Sequence, residues 1–299
     1  MDGILNIYKE KGYTSHDVVA KLRGILKQKK IGHTGTLDPD AEGVLPVCLG
    51  NATKLCDLLT DKDKTYEAVL KLGVTTDTQD LTGTIIKECK VDVDVEDIRT
   101  TIMSFVGDYN QIPPMYSALK VNGRKLYELA REGIEIERKS RLVHIYEIEI
   151  LSIDETLNEI SMSVTCSKGT YIRTLCHDIG ELLGCGGSMK NLLRTKVSQF
   201  NLMDSLTLSQ VSELKIEDKL EPHILKVEDM FPDYGKVIML EEFNKLVYNG
   251  NLFHSTNIVS KNDQKIGDTV RVYDSNNRFV GIYAYLANQK QFKPIKMFL

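Results

Sequence analysis

The chain has 299 residues, 42% hydrophobic and 27% charged, with a formal charge of -4 at neutral pH, the make-up of a globular protein of one large or two unequal units around a sizeable core. Net acidity argues against nucleic-acid binding by bulk charge alone, and no apolar stretch approaches the roughly 18 to 20 uncharged residues of a membrane span. The six cysteines lack CxxC spacing and the six histidines form no HExxH pair, so neither a disulfide framework nor a metal site is expected. Met1-Asp2-Gly3 is not a basic region followed by an apolar segment, and the expectation is a cytoplasmic protein.

Residues 3–8 read as a strand. A helix follows, opened by a capping-box pattern at Thr14 and Asp17, with Val18, Val19, Leu22, Ile25 and Leu26 at helical spacing. Lys21, Arg23, Lys27, Lys29 and Lys30 gather on and after it, a solvated helix face or one half of a phosphate-binding surface. The glycine-punctuated stretch 32–43 centres on Asp38; glycines and a proline exclude a long helix, leaving a shaped loop that is either a surface turn or a functional one. An apolar run follows at 44–49, a short helix at 53–59, and an alternating strand at 66–72 whose Tyr66, Ala68, Leu70 and Leu72 share one face. Residues 75–84 form a polar loop. Asp94 caps a helix that turns Val95, Ile98, Ile102 and Phe105 inward.

The character changes at Gln111. Two prolines keep residues 111–120 out of a helix, Asn122-Gly123 signals a tight turn, and 124–131 reads as a basic helix. This excursion from the core carries groups suited to phosphate and base contacts. Long alternating runs at 134–153 and 157–166 suggest antiparallel partners. Residues 167–175 then turn from strand to helix, with Ile172, Leu175, Ile179, Leu182 and Leu183 as the apolar stripe and Tyr171 and Arg173 at its start. Extended structure resumes at 192–197, a helix is expected at 208–214, and the acidic segment 216–233 reads as a linker. Beyond it, a short helix at 241–249, turns at 249–251 and 261–263, and strands at 269–273 and 279–286 suit a small β-barrel.

Several of these stretches add up. Lys9-Glu10-Lys11-Gly12 with Ser15, Gly32-His33-Thr34-Gly35-Thr36-Leu37-Asp38-Pro39, Lys64-Thr65-Tyr66 and Thr76-Asp77-Thr78-Gln79-Asp80 occur in order. Pro113-Pro114-Met115-Tyr116-Ser117-Ala118-Leu119-Lys120, Ser167-Lys168-Gly169-Thr170-Tyr171-Ile172-Arg173 and Leu192-Leu193-Arg194-Thr195 follow. Each is weak alone; together, over essentially the whole chain, they resemble the bacterial tRNA pseudouridine-55 synthases, the TruB family. The resemblance implies an α+β fold: a mixed, mainly antiparallel sheet with flanking helices in a catalytic domain over 1–232, interrupted by a thumb-like insertion at about 111–138. A PUA-like RNA-binding barrel is implied over 235–299, where Ile266-Gly267-Asp268-Thr269-Val270 resembles a turn common in such domains.

The implied activity isomerises a uridine in the T-loop of tRNA, position 55, to pseudouridine. The base is detached from its ribose at N1 and rejoined through C5, with no net redox change or group transfer and hence no cofactor. The implied partner is tRNA through its T-arm, with no membrane and no obligate protein partner. By resemblance Asp38 is the nucleophile, Arg173 its charged partner, and Tyr66 the tyrosine that stacks on the base and moves the C5 proton. His33 resembles the histidine that fills the space a flipped base vacates, Tyr171 a pocket tyrosine, Asp80 an active-site position and Leu193 a pocket wall. Lys9, Lys11, Lys120 and Arg124 are assigned phosphate contacts. The chain departs from the family at Glu42, where a small hydroxyl residue is usual, and Asp40 and Glu42 are expected to point into solvent, since like charges would raise the nucleophile's pKa. Two other readings compete: an RNA-binding or tRNA-folding chaperone without chemistry, against which Asp38, Tyr66 and Arg173 together argue, and an aspartate-nucleophile phosphatase. The latter needs an apolar strand directly before its first aspartate, where this chain has Gly32-His33-Thr34-Gly35-Thr36.

Overall fold

The computed structural model describes residues 1–259 and 268–299. Its centre is a ten-stranded sheet in the order Ile224–Leu225, Gly3–Lys9, Glu42–Leu49, Gly187–Val197, Lys64–Leu72, Glu159–Cys166, Arg141–Asp154, Gly107–Gln111, with two short strands, Ile31–His33 and Phe200–Asn201, attached at its side. Pairing is antiparallel except where Glu42–Leu49 meets Gly187–Val197, with Leu193 opposite Glu42 and Arg194 opposite Gly43. That parallel contact is close. Gly43 has φ +107°, and a Cβ there would lie 2.2 Å from the Arg194 carbonyl oxygen, so only glycine lets the two strands touch.

Helices cover the sheet in the places their apolar stripes require. Ser15–Leu26, opened by the Thr14–Asp17 capping box, packs with Leu208–Ile216 over Leu5, Ile7, Leu45 and Val47. Ile172–Leu182 and Val95–Met103 cover the other half of the sheet, burying Leu175, Ile179, Ile98 and Ile102 against Leu70, Ile160 and Met162. Tyr66, Ala68, Leu70 and Leu72 all face this core, as their alternation requires.

The insertion has its own architecture. Lys120–Val121 and Arg124–Lys125 pair as a hairpin whose central residues, Asn122 and Gly123, both have positive φ (51° and 83°), the backbone a two-residue turn needs. The helix that follows is Leu126–Arg131, shorter than 124–131 because the hairpin takes the first two residues. Met115, Leu126 and Leu129 make a small separate core.

Three expectations are corrected. The strand expected over 134–153 is Arg141–Asp154; residues 134–140 are irregular and mostly exposed, with alternation but no partner strand. The expected linker at 216–233 is bound to the domain, since Ile224–Leu225 adds a strand to the sheet edge and Leu220 and Val227 are buried. The polar stretch 75–84 begins inside a hairpin, Val74–Thr76 with Ile85–Glu88.

The C-terminal unit forms a separate five-stranded sheet, Gly235–Ile238, Thr269–Tyr273, Phe279–Leu286, Gln291–Met297 and Phe253–His254 in spatial order. It curls. Backbone bonds from Val259 to Ile238 (2.8 Å) and from Leu240 to Asn257 (2.9 Å) bring its two edges together, as a barrel requires. The expected turn at 261–263 and residues Ile266 and Gly267 of the expected PUA-like turn lie outside the described residues.

Candidate active site

Asp38 lies in the loop between Ile31–His33 and Glu42–Leu49, and that loop is held from both sides. Leu37 and Ala41 are buried in the core, 4% and 2% exposed. Ser15 Oγ accepts from the Leu37 amide at 3.0 Å, and the Gly12 amide donates to the Pro39 carbonyl at 2.9 Å. The Lys9 ammonium, with no exposed surface, donates to the carbonyls of Ala41 (2.6 Å), Pro39 (3.1 Å) and Glu10 (3.2 Å). With both neighbours anchored, the Asp38 side chain is left 44% exposed.

Arg173 meets it from the opposite side. This arginine is the second residue of the helix Ile172–Leu182, and its side chain is only 6% exposed. Its Nε lies 3.1 Å from Asp38 Oδ2 and one terminal nitrogen lies 3.5 Å from Asp80 Oδ2. The same guanidinium donates to the carbonyls of Thr78 (3.1 Å) and Tyr116 (2.8 Å). A planar fork occupied on every side has little freedom to move. Asp80 is fixed in turn: its Oδ1 accepts from the hydroxyls of Thr78 (2.8 Å) and Thr82 (2.5 Å) and from the Thr82 amide (3.0 Å).

Desolvation pushes the Asp38 carboxyl above the usual range; the Arg173 cation opposes the rise, the Asp80 carboxylate adds to it, and the more distant Lys9 and Asp40 act more weakly in opposite senses. The outcome is a carboxylate less hydrated than one in water, oriented by a permanent cation, and open on one side. That is what a nucleophile or base needs.

Tyr66 is 7% exposed and stands in register with Arg194 on the neighbouring strand. Burial raises its phenol pKa, the Arg194 charge pulls the other way, and the Asp38 charge adds to the rise. Tyr171, half-buried, sits just before the arginine helix; burial raises its pKa, and Ser117, Arg141 and Arg173 oppose the shift. His33 contacts the Gly35 carbonyl through Nδ1 at 2.9 Å and stands edge-on to His16, ring centres 5.0 Å apart. Burial lowers its pKa and favours the neutral ring. A groove of about 580 Å³ begins at His33 and His16 and is bordered by Arg23, Lys29 and Lys30, which gives the basic cluster of the sequence a place beside the site.

The structure therefore brings Asp38 and Asp80 together on Arg173, with Tyr66 and Tyr171 near enough to feel the Asp38 charge, while His33 stands at the start of the Asp38 loop against His16. Other assignments change. Lys9 is not a phosphate ligand, because its ammonium is spent on backbone carbonyls beneath the loop. Lys11 is exposed in the turn bonded to Pro39, and Lys120 and Arg124 are exposed on the insertion hairpin, where Arg124 pairs with Glu132. Leu193 occupies the register position of Glu42 and Glu67, on the face opposite Tyr66. Leu192, opposite Ala68, is the leucine that packs in the Tyr66 cluster. Asp40 is exposed as expected, but Glu42 is half-buried and accepts a hydrogen bond from the Tyr8 hydroxyl at 3.0 Å.

Arg194 was not singled out from sequence. It is 1% exposed, its Nε donates to the Val44 carbonyl at 2.7 Å, and one terminal nitrogen has no hydrogen-bond partner among the described residues. A charged residue in an alternating strand pattern, next to a pair of leucines, was the available signal.

Residues 23–172 match the model for the TruB family pseudouridylate synthase N-terminal domain, and residues 173–232 match that for the tRNA pseudouridylate synthase B C-terminal domain. The tRNA pseudouridine synthase B of Lachnoclostridium phytofermentans is 55% identical over all of both chains. The chain belongs to the TruB family. The protein of the same name from Alkaliphilus oremlandii is 49% identical over 99% of this chain and 98% of that one. Among solved structures, a Cbf5-Nop10-Gar1 complex matches with a TM-score of 0.72 and 28% identity, covering 99% of this chain and 85% of that one. An H/ACA RNP bound to a substrate RNA containing 2'-deoxyuridine matches with a TM-score of 0.71 and 26% identity, with the same coverage. Like its TruB relatives, this chain is a tRNA pseudouridine synthase, an RNA-modifying isomerase that converts a tRNA uridine to pseudouridine. No helix among the described residues is long and apolar enough to cross a membrane.

Proposed function

We propose that the uridine is the one at position 55 in the T-loop, and that Asp38 performs the chemistry after the nucleotide is flipped out of the loop. The observation that carries this reading is the Asp38–Arg173 contact at 3.1 Å, a buried guanidinium beneath an accessible carboxylate. Attack at C6 of the base, attack at C1′ of the sugar and deprotonation at C2′ all begin with an ionised Asp38. Arg173 keeps that form populated against desolvation.

Flipping costs roughly a few kcal/mol in lost stacking, offset when the base is received between apolar and aromatic groups. Tyr66 and Leu192 offer one wall and Tyr171 another, while His33, neutral and edge-on to His16, takes up the space left in the RNA loop. Tyr66 is the group for proton movement at C5. Lys11, Lys120, Arg124 and the groove bordered by Arg23, Lys29 and Lys30 hold phosphates, and the curled C-terminal sheet, PUA-like, extends the RNA surface over 235–299. No step requires a cofactor. A tRNA-modifying role supports a cytoplasmic location.

The test is to incubate the protein with unmodified tRNA and no additions, then map pseudouridine by carbodiimide modification and primer extension. A stop one nucleotide 3′ of position 55 is expected; conversion confined to other positions would overturn the assignment.

A further inference from the structure

The root of the insertion and the start of the arginine helix are joined by one side chain. Gln111 ends the strand Gly107–Gln111, is 1% exposed, and grips the backbone of Tyr171 at both ends of its amide: Nε2 donates to the Tyr171 carbonyl at 2.9 Å, and Oε1 accepts from the Tyr171 amide at 2.7 Å. Tyr171 is the N-cap of Ile172–Leu182 and its own side chain makes no capping bond, while its carbonyl also accepts the Leu175 amide at 3.1 Å. A buried glutamine whose donor and acceptor are both spent on one peptide unit fixes that unit in position and direction. Arg173 follows two residues later, and it reaches back to the insertion through the Tyr116 carbonyl at 2.8 Å.

We infer that Gln111 is a positioning residue for the reaction: it holds the helix start so that the Arg173 guanidinium meets Asp38, and it ties that contact to the root of the RNA-binding insertion. The inference rests on the reading of Asp38 and Arg173 given above. It concerns a residue that touches neither the base nor the reacting carboxylate. A shift of about 1 Å in such a support costs on the order of 100-fold in rate.

Two near-isosteric variants test it, read as single-turnover rates relative to the wild type at each pH from 5.5 to 8.5, with tRNA affinity measured alongside. Gln111→Met removes both bonds. Its rate should fall about 10- to 100-fold with tRNA affinity within about threefold, and the ratio to wild type should worsen as pH falls, because a loosened Arg173 leaves Asp38 easier to protonate. Gln111→Glu should do the reverse. Ionised, its carboxylate faces the Tyr171 carbonyl and cannot donate; protonated, it donates and accepts as the amide does, so its ratio should recover as pH falls. The other groups facing this position are Arg141 in register on the adjoining strand, Tyr109 on its own strand, and Asp178 and Arg173 on the helix. All are present in the three proteins, and the opposite slopes expected of the Met and Glu variants separate the effect at position 111 from any shift in these neighbours.

Flat ratios for both variants, or a fully active Gln111→Met, would overturn the role of Gln111. Asp38→Asn run in parallel separates the two levels: if it still converts tRNA, the reading of the site fails with it, whereas an inert Asp38→Asn beside flat ratios removes only the positioning role.

Discussion

Asp38 and Arg173 are in contact, and if they act through each other as proposed, the pH dependence of the enzyme should show it. The Asp38 carboxyl lies above the ordinary range because burial outweighs the Arg173 cation, so activity should be lost as pH falls through that raised value. Removing the cation raises it further. Arg173→Met should therefore move the acid limb of the single-turnover profile to higher pH and lower the plateau by at least about 100-fold; an unmoved limb would show that Arg173 does not govern Asp38. Lys9 offers the opposite case. Burial lowers its pKa to about 8 against the pull of Glu42 and Asp38, and its ammonium bonds three carbonyls. Lys9→Met should cost about 1–3 kcal/mol of stability through unsatisfied buried acceptors, seen as a lower thermal midpoint, while the salt dependence of tRNA affinity stays unchanged. A slope reduced by about one would restore the phosphate contact. Sequence marked Lys9 and Lys11 alike and could not separate them, because a lysine beneath a loop and a lysine open to a phosphate leave the same letter. Leu192 and Leu193 pose the same problem: only the register opposite Ala68 shows which leucine faces Tyr66.

At the scale of elements, the insertion is a folded piece with a hairpin, a helix and its own small core. Lys120 and Arg124 stand on its exposed edge, so Lys120→Ala and Arg124→Ala should each weaken tRNA binding severalfold and reduce the salt slope by about one, with little effect on the rate of bound tRNA. Arg124 pairs with Glu132 in the free protein; Glu132→Ala should free it and tighten binding at low salt, and weaker binding would contradict its assignment as a phosphate contact. Local rules made this element legible: Asn122-Gly123 demands a tight turn, and the prolines exclude a helix. The same rules located the Thr14 and Asp94 caps. They failed at 134–140, where alternation has no partner strand, and at 216–233, where an acidic segment that reads as a tether supplies a strand to the sheet edge.

Across the whole molecule, the two units share a core. Phe279, Ile282 and Phe298 from the C-terminal sheet pack with Ile4, Val44, Leu55 and Leu59 beneath the sheet that carries Asp38, and Lys54 donates to the Leu299 carbonyl at 3.1 Å. An apolar contact of this kind behaves as interior and not as a hinge. Truncation after residue 234 should therefore lower the thermal midpoint of the catalytic domain and promote aggregation; an unchanged midpoint would make the C-terminal unit an independent module. Composition left one large or two unequal units open, and the turn-rich spacing suggested a barrel. Their shared core stayed hidden, since Ile282 and Phe298 carry the same apolar signature whether they fill the barrel or a neighbour.

Asp38, aligned by Arg173, is the group proposed to carry out the isomerisation. Asp38→Asn preserves shape and the hydrogen-bonding loop while removing the charge, so the decisive measurement is its tRNA affinity and its single-turnover conversion side by side. Binding should stay within a few-fold of wild type with no pseudouridine formed; conversion at a rate near that of the wild type would remove Asp38 from the chemistry.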